Sequence, residues 1–119
     1  MNVIKKILVP TDFSEYSLAG VEFVNSLIEL YDAEVFIMYI VDDTPVLAFH
    51  TVDLNSETVL RDAERKAKND LNEFVHEKIK HPGKFTQVIR RGDAQKEIVK
   101  FAEEEDIDII VMATHGRTG

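Results

Sequence analysis

The chain has 119 residues and a formal net charge of −8 at pH 7, from 22 acidic and 14 basic side chains. This length suits one domain, and we treat residues 1–119 as a single domain. The acidic balance predicts no nucleic-acid partner, because the phosphate backbone would be repelled. The chain has no cysteine and no apolar run near the roughly 20 residues of a membrane helix. These features predict a cytoplasmic protein with no membrane partner and no thiolate metal site.

Strand and helix patterns alternate along the first third of the chain. Val3 to Val9 is a short apolar run that ends at Pro10, which predicts a first strand. Ser14 is the expected N-cap of the following helix, with Glu15 near its positive end. Glu34 to Val41 is rich in β-branched and aromatic residues and predicts a strand covered on both faces. The helix between them has apolar residues three and four apart, which predicts one buried stripe: Leu18, Ala19, Phe23, Val24, Leu27, Ile28 and Tyr31.

A loop and a long helix are expected next. The stretch from Pro45 to Asn55 has mixed signals and predicts an irregular loop. Ser56 is the expected N-cap of a helix over Glu57 to Ile79, and His81-Pro82-Gly83 marks its end. The stripe expected to be buried on this helix consists of Leu60, Ala63, Ala67, Leu71, Phe74 and Val75.

The remaining sequence repeats the same alternation. Phe85 to Arg90 predicts a third strand. Ala94 to Glu105 predicts a third helix, and the residues expected to face inward are Ile98, Val99 and Ala102. Ile107 to Ala113 predicts a buried fourth strand, and the Gly-bearing loop Thr114 to Gly119 follows it.

This order predicts an α/β fold with an open, mostly parallel sheet, right-handed crossovers and helices on both faces. The loops after strands one and four then open at the same edge of the sheet. If these strands are neighbours and strand two lies on the other side of strand one, the chain reverses direction between them. Such a topological switch point is the favoured position for a ligand. The apolar edge Ile107 to Val111 is expected to be covered by a further segment or by another molecule.

Known catalytic and nucleotide motifs are absent from the sequence. There is neither a P-loop nor a G-x-G-x-x-G fingerprint, and no H-E-x-x-H or G-x-S-x-G motif. Nucleophilic catalysis therefore has no evident agent, and we expect no catalytic residue and no protein-held metal. The pattern favours a binding site over an enzyme active site.

The two loops at the expected switch point supply the candidate binding residues. Asp12 could accept hydrogen bonds from a ribose or an amine, or it could instead bond within its own loop. Gly116 and Gly119 could bring backbone N–H groups close to phosphate oxygens, or they could serve a turn that needs a positive φ. His115 could donate to a phosphate or position Asp12, although a loop histidine is more often satisfied by the backbone.

Three segments together resemble the universal stress protein family. They are Lys5 to Ser14 (KKILVPTDFS), Gly92 to Ala94 (GDA) and Ile109 to Gly119 (IIVMATHGRTG). The resemblance spans the whole chain. It implies a Rossmann-like sheet of five parallel strands in the order 3-2-1-4-5, whose last helix and strand would follow Gly119.

The resemblance also implies a ligand, because many members of the family bind ATP at the switch point without being dedicated metabolic enzymes. Magnesium would come with the triphosphate. The implied contacts with adenine nucleotide are Pro10, Thr11 and Asp12 near the adenosine, Ile40 against the adenine, and Ala113 and Gly116 in the phosphate loop. Met112 and His115, next to this loop motif, complete the predicted nucleotide-binding residues.

One position departs from the family motif G-x-x-G-x(9)-G-[S/T]. Ala113 stands where the first glycine is expected, Gly116 matches the second, and the final pair lies beyond Gly119. The Ala113 methyl group weakens the case for ATP, because the backbone needs to approach the ligand there. The resemblance therefore implies an adenine-nucleotide-binding stress-response module, with a protein-interaction module or a slow ATPase as alternatives. It also implies a homodimer of the intact protein through the fifth strand.

Overall fold

The computed structural model describes residues 3–43 and 54–112, with the side chains of residues 54–56 excepted. The elements in chain order are β1 (Lys6–Pro10), α1 (Glu15–Tyr31), β2 (Glu34–Val41), α2 (Leu54–Lys78), a short 3-10 helix (Pro82–Lys84), β3 (Phe85–Arg91), α3 (Ala94–Glu104) and β4 (Ile109–Ile110). The described strands form one parallel sheet in the order β3-β2-β1-β4. This order confirms the predicted α/β architecture and the reversal of direction between β1 and β4.

Helix α1 begins where the sequence predicts. The Ser14 hydroxyl accepts a hydrogen bond from the Ser17 N–H at 3.2 Å, so Ser14 is the N-cap. At the other end Asp32 adopts a left-handed conformation, and its N–H donates to the Ile28 carbonyl at 2.8 Å. Both ends of α1 therefore have local hydrogen bonds that fix its length.

The stripe predicted for α1 is partly wrong. Phe23 and Tyr31 are 55% and 40% exposed, and Ala19 is also exposed. The helix instead packs on the sheet through a neighbouring stripe of Ser17, Gly20, Val21, Val24 and Ile28. Phe23 and Ala19 instead line a shallow groove beside β4. Val24 and Ile28 belong to both stripes and are buried as expected.

Helix α2 begins at Leu54, so the prediction that Ser56 caps it is wrong. Leu54 and Asn55, predicted to lie in a loop, are helical, and the rest of that predicted loop lies outside the described residues. Polar residues such as Ser56 are common both at caps and within the first turn of a helix, so the sequence alone does not separate the two positions. The predicted apolar stripe of α2 is confirmed, since Leu60, Ala67, Leu71 and Val75 are buried.

The two faces of the sheet carry different cores. Alternate strand residues such as Ile7, Val35 and Ile37 face α1 and α2 and join the larger hydrophobic cluster. The intervening residues face α3 in a smaller cluster, which consists of Leu8, Phe36, Met38, Ile98 and Phe101. This alternation explains why β2 is an unbroken apolar run from Val35 to Val41.

The sequence misassigned two positions in the last part of the fold. Val99 was expected to face inward on α3 but is 54% exposed, and Phe101 is buried in its place. Strand β4 is limited to two residues, and Ile110 is 39% exposed rather than buried. The cover expected for the edge Ile107 to Val111 would come from outside the described residues, so it stays a prediction.

Within residues 3–43 and 54–112, no helix is both long enough and apolar enough to cross a membrane.

Candidate functional site

A cavity of about 280 Å³ lies at the carboxyl ends of β1 and β2, beside the first turns of α1 and α3. Successive strands are added on one side of β1 up to β3, and the chain then crosses to the other side of β1 to form β4. The cavity lies at this switch point. We call this space the switch-point cavity. Its lining residues are Pro10, Thr11, Asp12, Ser14, Tyr16, Ser17, Met38, Ile40, Ala94, Ile98 and Met112.

The cavity gathers every predicted contact that falls within the described residues. Pro10, Thr11 and Asp12 follow β1, Ile40 lies near the end of β2, and Met112 follows β4. The other predicted contacts, Ala113, His115 and Gly116, lie outside the described residues.

Sequence reasoning missed the rest of the lining. Met38 could have been inferred from Ile40, because residues two apart on a strand share a face. Ala94 and Ile98 come from α3, whose position over the sheet depends on the crossover from β3. No local signal in the sequence indicates that contact.

Hydrogen bonds fix the loop between β1 and α1. The Thr11 N–H donates to the Met38 carbonyl at 2.8 Å, which extends the β1–β2 pairing into the loop. The Thr11 hydroxyl accepts from the Phe13 N–H and donates to the Ser17 hydroxyl, both at 3.0 Å. Ser17 in turn donates to the Ser14 carbonyl at 2.9 Å. This polar wall of the cavity is therefore ordered by its own bonds before any ligand arrives.

Asp12 bonds within its own loop and also faces the cavity. Its Oδ1 accepts from the Ser14 N–H at 2.9 Å. Hydrogen bonds from the Ser14 side chain and backbone hold the pKa of the Asp12 carboxyl below its usual range. The group is therefore an anion at neutral pH and can accept further hydrogen bonds, since a carboxylate has about four lone-pair sites. The two readings of Asp12 left open by the sequence are thus compatible.

Phe13 holds the loop in a strained conformation. Its φ is 67°, in the left-handed region that a bulky side chain rarely adopts. The ring stacks on Tyr39 with centroids 4.8 Å apart and lies 5.7 Å from the ring of Phe74. Such a conformation costs about 1–3 kcal/mol and persists only where the surroundings enforce it. The aromatic contacts therefore anchor the residue next to Asp12.

The walls of the cavity differ in chemistry. One is polar, with Thr11, Asp12 and Ser14, and the other is apolar, with Met38, Ile40, Ile98 and Met112. A flat ring with polar edges fits such an arrangement. No group of three His, Asp or Glu side chains in the described part of the chain could hold a metal ion.

Comparisons with known proteins agree with this geometry. The family model of the universal stress proteins matches residues 4–119. The chain is 34% identical over 121 residues to universal stress protein MJ0531 of Methanocaldococcus jannaschii, covering 99% of this chain and 69% of that relative. It is 32% identical over 129 residues to universal stress protein MJ0577 of the same organism, covering 96% and 78%.

Solved structures share the same fold. The structure of MJ0577 superposes with a TM-score of 0.81 at 31% identity, over 99% of this chain and 80% of that one. A universal stress protein in complex with cAMP superposes with a TM-score of 0.55 at 20% identity, over 92% and 71%. At that identity the second match supports the fold alone. From the family model, the curated relatives and the sheet order together, the chain belongs to the universal stress protein family.

Proposed function

We propose that this protein is an adenine-nucleotide-binding regulatory module of the cytoplasmic stress response, with ATP as the first candidate ligand. The observation that carries the proposal is the convergence of Pro10, Thr11, Asp12, Ile40 and Met112 on one cavity at the switch point. A universal stress protein of the same fold has been solved in complex with cAMP, an adenine nucleotide, which makes this ligand class the first to test here. The apolar wall would take the base, and Asp12 would accept hydrogen bonds from the ribose or the base.

Magnesium would enter with the triphosphate. Asp12 is the single carboxylate among the described lining residues, so the described lining offers one anionic ligand. A Mg²⁺ ion held by phosphates and water with one or two carboxylates suits such a site.

Isothermal titration calorimetry with ATP, ADP, AMP and GTP tests the proposal. We expect adenine nucleotides to bind below millimolar concentration and GTP to bind more weakly. The variant Asp12→Ala should lose affinity about tenfold or more, the usual cost of removing a charged hydrogen-bond acceptor. Failure of all four nucleotides to bind the intact protein would refute the proposal.

The second candidate is a protein-interaction module with an empty nucleotide site. A shallow apolar groove lined by Ala19, Gly20, Phe23 and residues 109–112 favours this alternative, since exposed apolar grooves mark contact surfaces. The homodimer implied by the family resemblance remains a prediction, and light scattering on the intact protein tests it. Dimerisation without nucleotide binding would favour this second candidate.

A slow ATPase is the remaining alternative. A general base works best with a pKa near the operating pH, whereas hydrogen bonds lower the pKa of Asp12. We therefore expect ATP hydrolysis to equal the background rate and to be unchanged in Asp12→Ala.

A further inference from the structure

A second cavity, of about 610 Å³, lies between α2 and β3, at the opposite edge of the sheet from β4. We call it the α2–β3 groove. Its lining consists of Arg61, Glu64, Arg65 and Lys68 from the helix and Gln87 and Ile89 from the strand. None of these residues lines the switch-point cavity, so the groove is a separate surface.

Strand β3 is an edge of the sheet in the described part of the chain. It pairs with β2 along Phe85–Arg91, and no described strand pairs with its other side. An edge strand presents N–H and C=O groups to which another strand can add. Gln87 and Ile89 lie on the α2 side, whereas Val88 packs on the α3 side. An added strand would continue this alternation and place every second side chain in the groove.

The groove is basic although the chain as a whole is acidic. The side chains of Arg61 and Arg65 are 69% and 74% exposed, and their ion pairs within α2 are long, at 3.9 and 3.7 Å. Glu64 is the acidic residue of the lining, and it accepts a hydrogen bond from Arg91 Nε at 2.7 Å. Arg91 also donates to both carboxylate oxygens of Glu57, at 3.1 and 3.2 Å, so two carboxylates share this guanidinium. In the described lining itself, Arg61, Arg65 and Lys68 outnumber the carboxylate of Glu64, which gives the groove a surplus of positive charge.

The basic residues are spaced to suit an extended peptide. Arg61 and Arg65 lie four residues apart, which is about 6 Å along a helix axis. Alternate residues of a strand lie about 6.6 Å apart. We propose that the α2–β3 groove binds an extended acidic peptide segment of a partner protein. The segment adds to β3 as a further strand and directs alternate carboxylates toward Arg61 and Arg65.

A peptide suits both walls of the groove. Its backbone bonds to the β3 edge, and its carboxylates pair with the guanidinium groups. A nucleic acid would offer phosphates to the arginines but no row of N–H donors and C=O acceptors to β3. The net charge of −8 also repels a long polyanion more than a short peptide with a few carboxylates.

Fluorescence anisotropy with a short labelled peptide in which Glu alternates with Thr and Val tests the proposal. We expect saturable binding by the intact protein and weaker binding of a peptide with the same residues but its Glu clustered at one end. Arg61→Glu combined with Arg65→Glu should weaken binding about tenfold or more, because rim charges turn from attraction to repulsion. The matched control is Lys66→Glu with Lys78→Glu, which changes the net charge equally at exposed α2 positions outside the groove. This control should retain binding within about twofold.

Backbone pairing has its own test on the unmodified protein. N-methylation of alternate peptide amides removes the donors needed for strand addition and should abolish binding. Equal binding of the methylated or clustered peptides would overturn the proposal, as would equal loss in both double variants. Tighter binding of a single-stranded oligonucleotide of the same charge would also overturn it. None of these results depends on whether the switch-point cavity binds a nucleotide.

Discussion

The two faces of the sheet perform different tasks. The α1–α2 face is closed by a large apolar cluster in which Ile7, Ile37 and Leu71 are fully buried. The α3 face has a smaller cluster, and two of its residues, Met38 and Ile98, also border the switch-point cavity. One face therefore supplies most of the stability, and the other leaves part of its apolar surface open to a ligand.

The largest loss of stability is expected for a substitution on the α1–α2 face. Leu71→Ala should lower the free energy of unfolding by about 2–5 kcal/mol, because it leaves a void in a closed core. Ile98→Ala should cost less, since Ile98 already borders open space. Urea denaturation of both variants measures the difference. A cost for Ile98→Ala equal to or above that for Leu71→Ala would contradict the assignment of stability to the α1–α2 face.

Two glycines compare the turn after α2, on one face of the sheet, with the turn before α3, on the other face. Gly92 precedes α3 and has a φ of 140°, and a Cβ there would lie 3.2 Å from Glu97 Cγ. Gly92→Ala should destabilise the fold by about 1–3 kcal/mol through backbone strain. Gly83 follows α2, and a Cβ there meets nothing within 4 Å. Gly83→Ala should be neutral or stabilise by up to about 1 kcal/mol. Thermal unfolding of both variants measures the difference. Equal losses of stability in Gly92→Ala and Gly83→Ala would contradict this prediction.

Two variants that each remove one aromatic contact are expected to have similar stability but different affinity for ATP. Phe13→Leu removes the stack on Tyr39 next to Asp12, whereas Phe101→Leu removes the edge contact with Phe36, whose centroids are 5.3 Å apart. Each should cost about 1 kcal/mol of stability. Only Phe13→Leu should also weaken ATP binding, by about tenfold, because it loosens the loop that positions Asp12. Calorimetry on both variants tests the distinction, and equal ATP affinities would contradict the role of Phe13.

The smallest expected effect is a pH dependence at the two ends of β1. The backbone N–H groups of Lys5 and Lys6 lower the pKa of Asp108, and Ser14 lowers that of Asp12. A carboxyl with a depressed folded-state pKa stabilises the fold above the ordinary pKa of about 3.9 and loses this contribution as the pH falls through the folded value. Urea midpoints between neutral and acid pH should therefore fall less in Asp108→Asn and Asp12→Asn than in the unmodified protein. Unchanged pH profiles would contradict these contacts.

The sequence predicted the architecture because each pattern has one dominant physical cause. The predicted strand Glu34 to Val41 matches β2 in both bounds, since a strand covered on both faces is a nearly continuous apolar run, here from Val35 onward. Ser14 was identified as a cap from its position before a periodic stripe. The predicted contacts at Pro10, Thr11, Asp12, Ile40 and Met112 meet at one cavity because parallel strands end at the same edge of the sheet.

The wrongly predicted buried residues lie on helices where two neighbouring stripes are almost equally apolar. Phe23 and Val21 lie on neighbouring stripes of α1, and tertiary packing places Val21 in the larger cluster and Phe23 in the groove beside β4. The choice between Val99 and Phe101 on α3 depends in the same way on tertiary contacts, here on Phe36 and Arg90. Periodicity predicts that a helix has a buried face, but it does not fix the rotation of that face to within one residue.

The most direct test of the central claim uses the methionine methyl groups. The chain has three methionines, Met1, Met38 and Met112, and the last two line the switch-point cavity. In a methyl-labelled NMR titration with ATP, the Met38 and Met112 signals should shift together and saturate, while the Met1 signal stays in place. No shift at either methyl, or a shift of Met1 alone, would contradict the assignment of a nucleotide site to the α3 face.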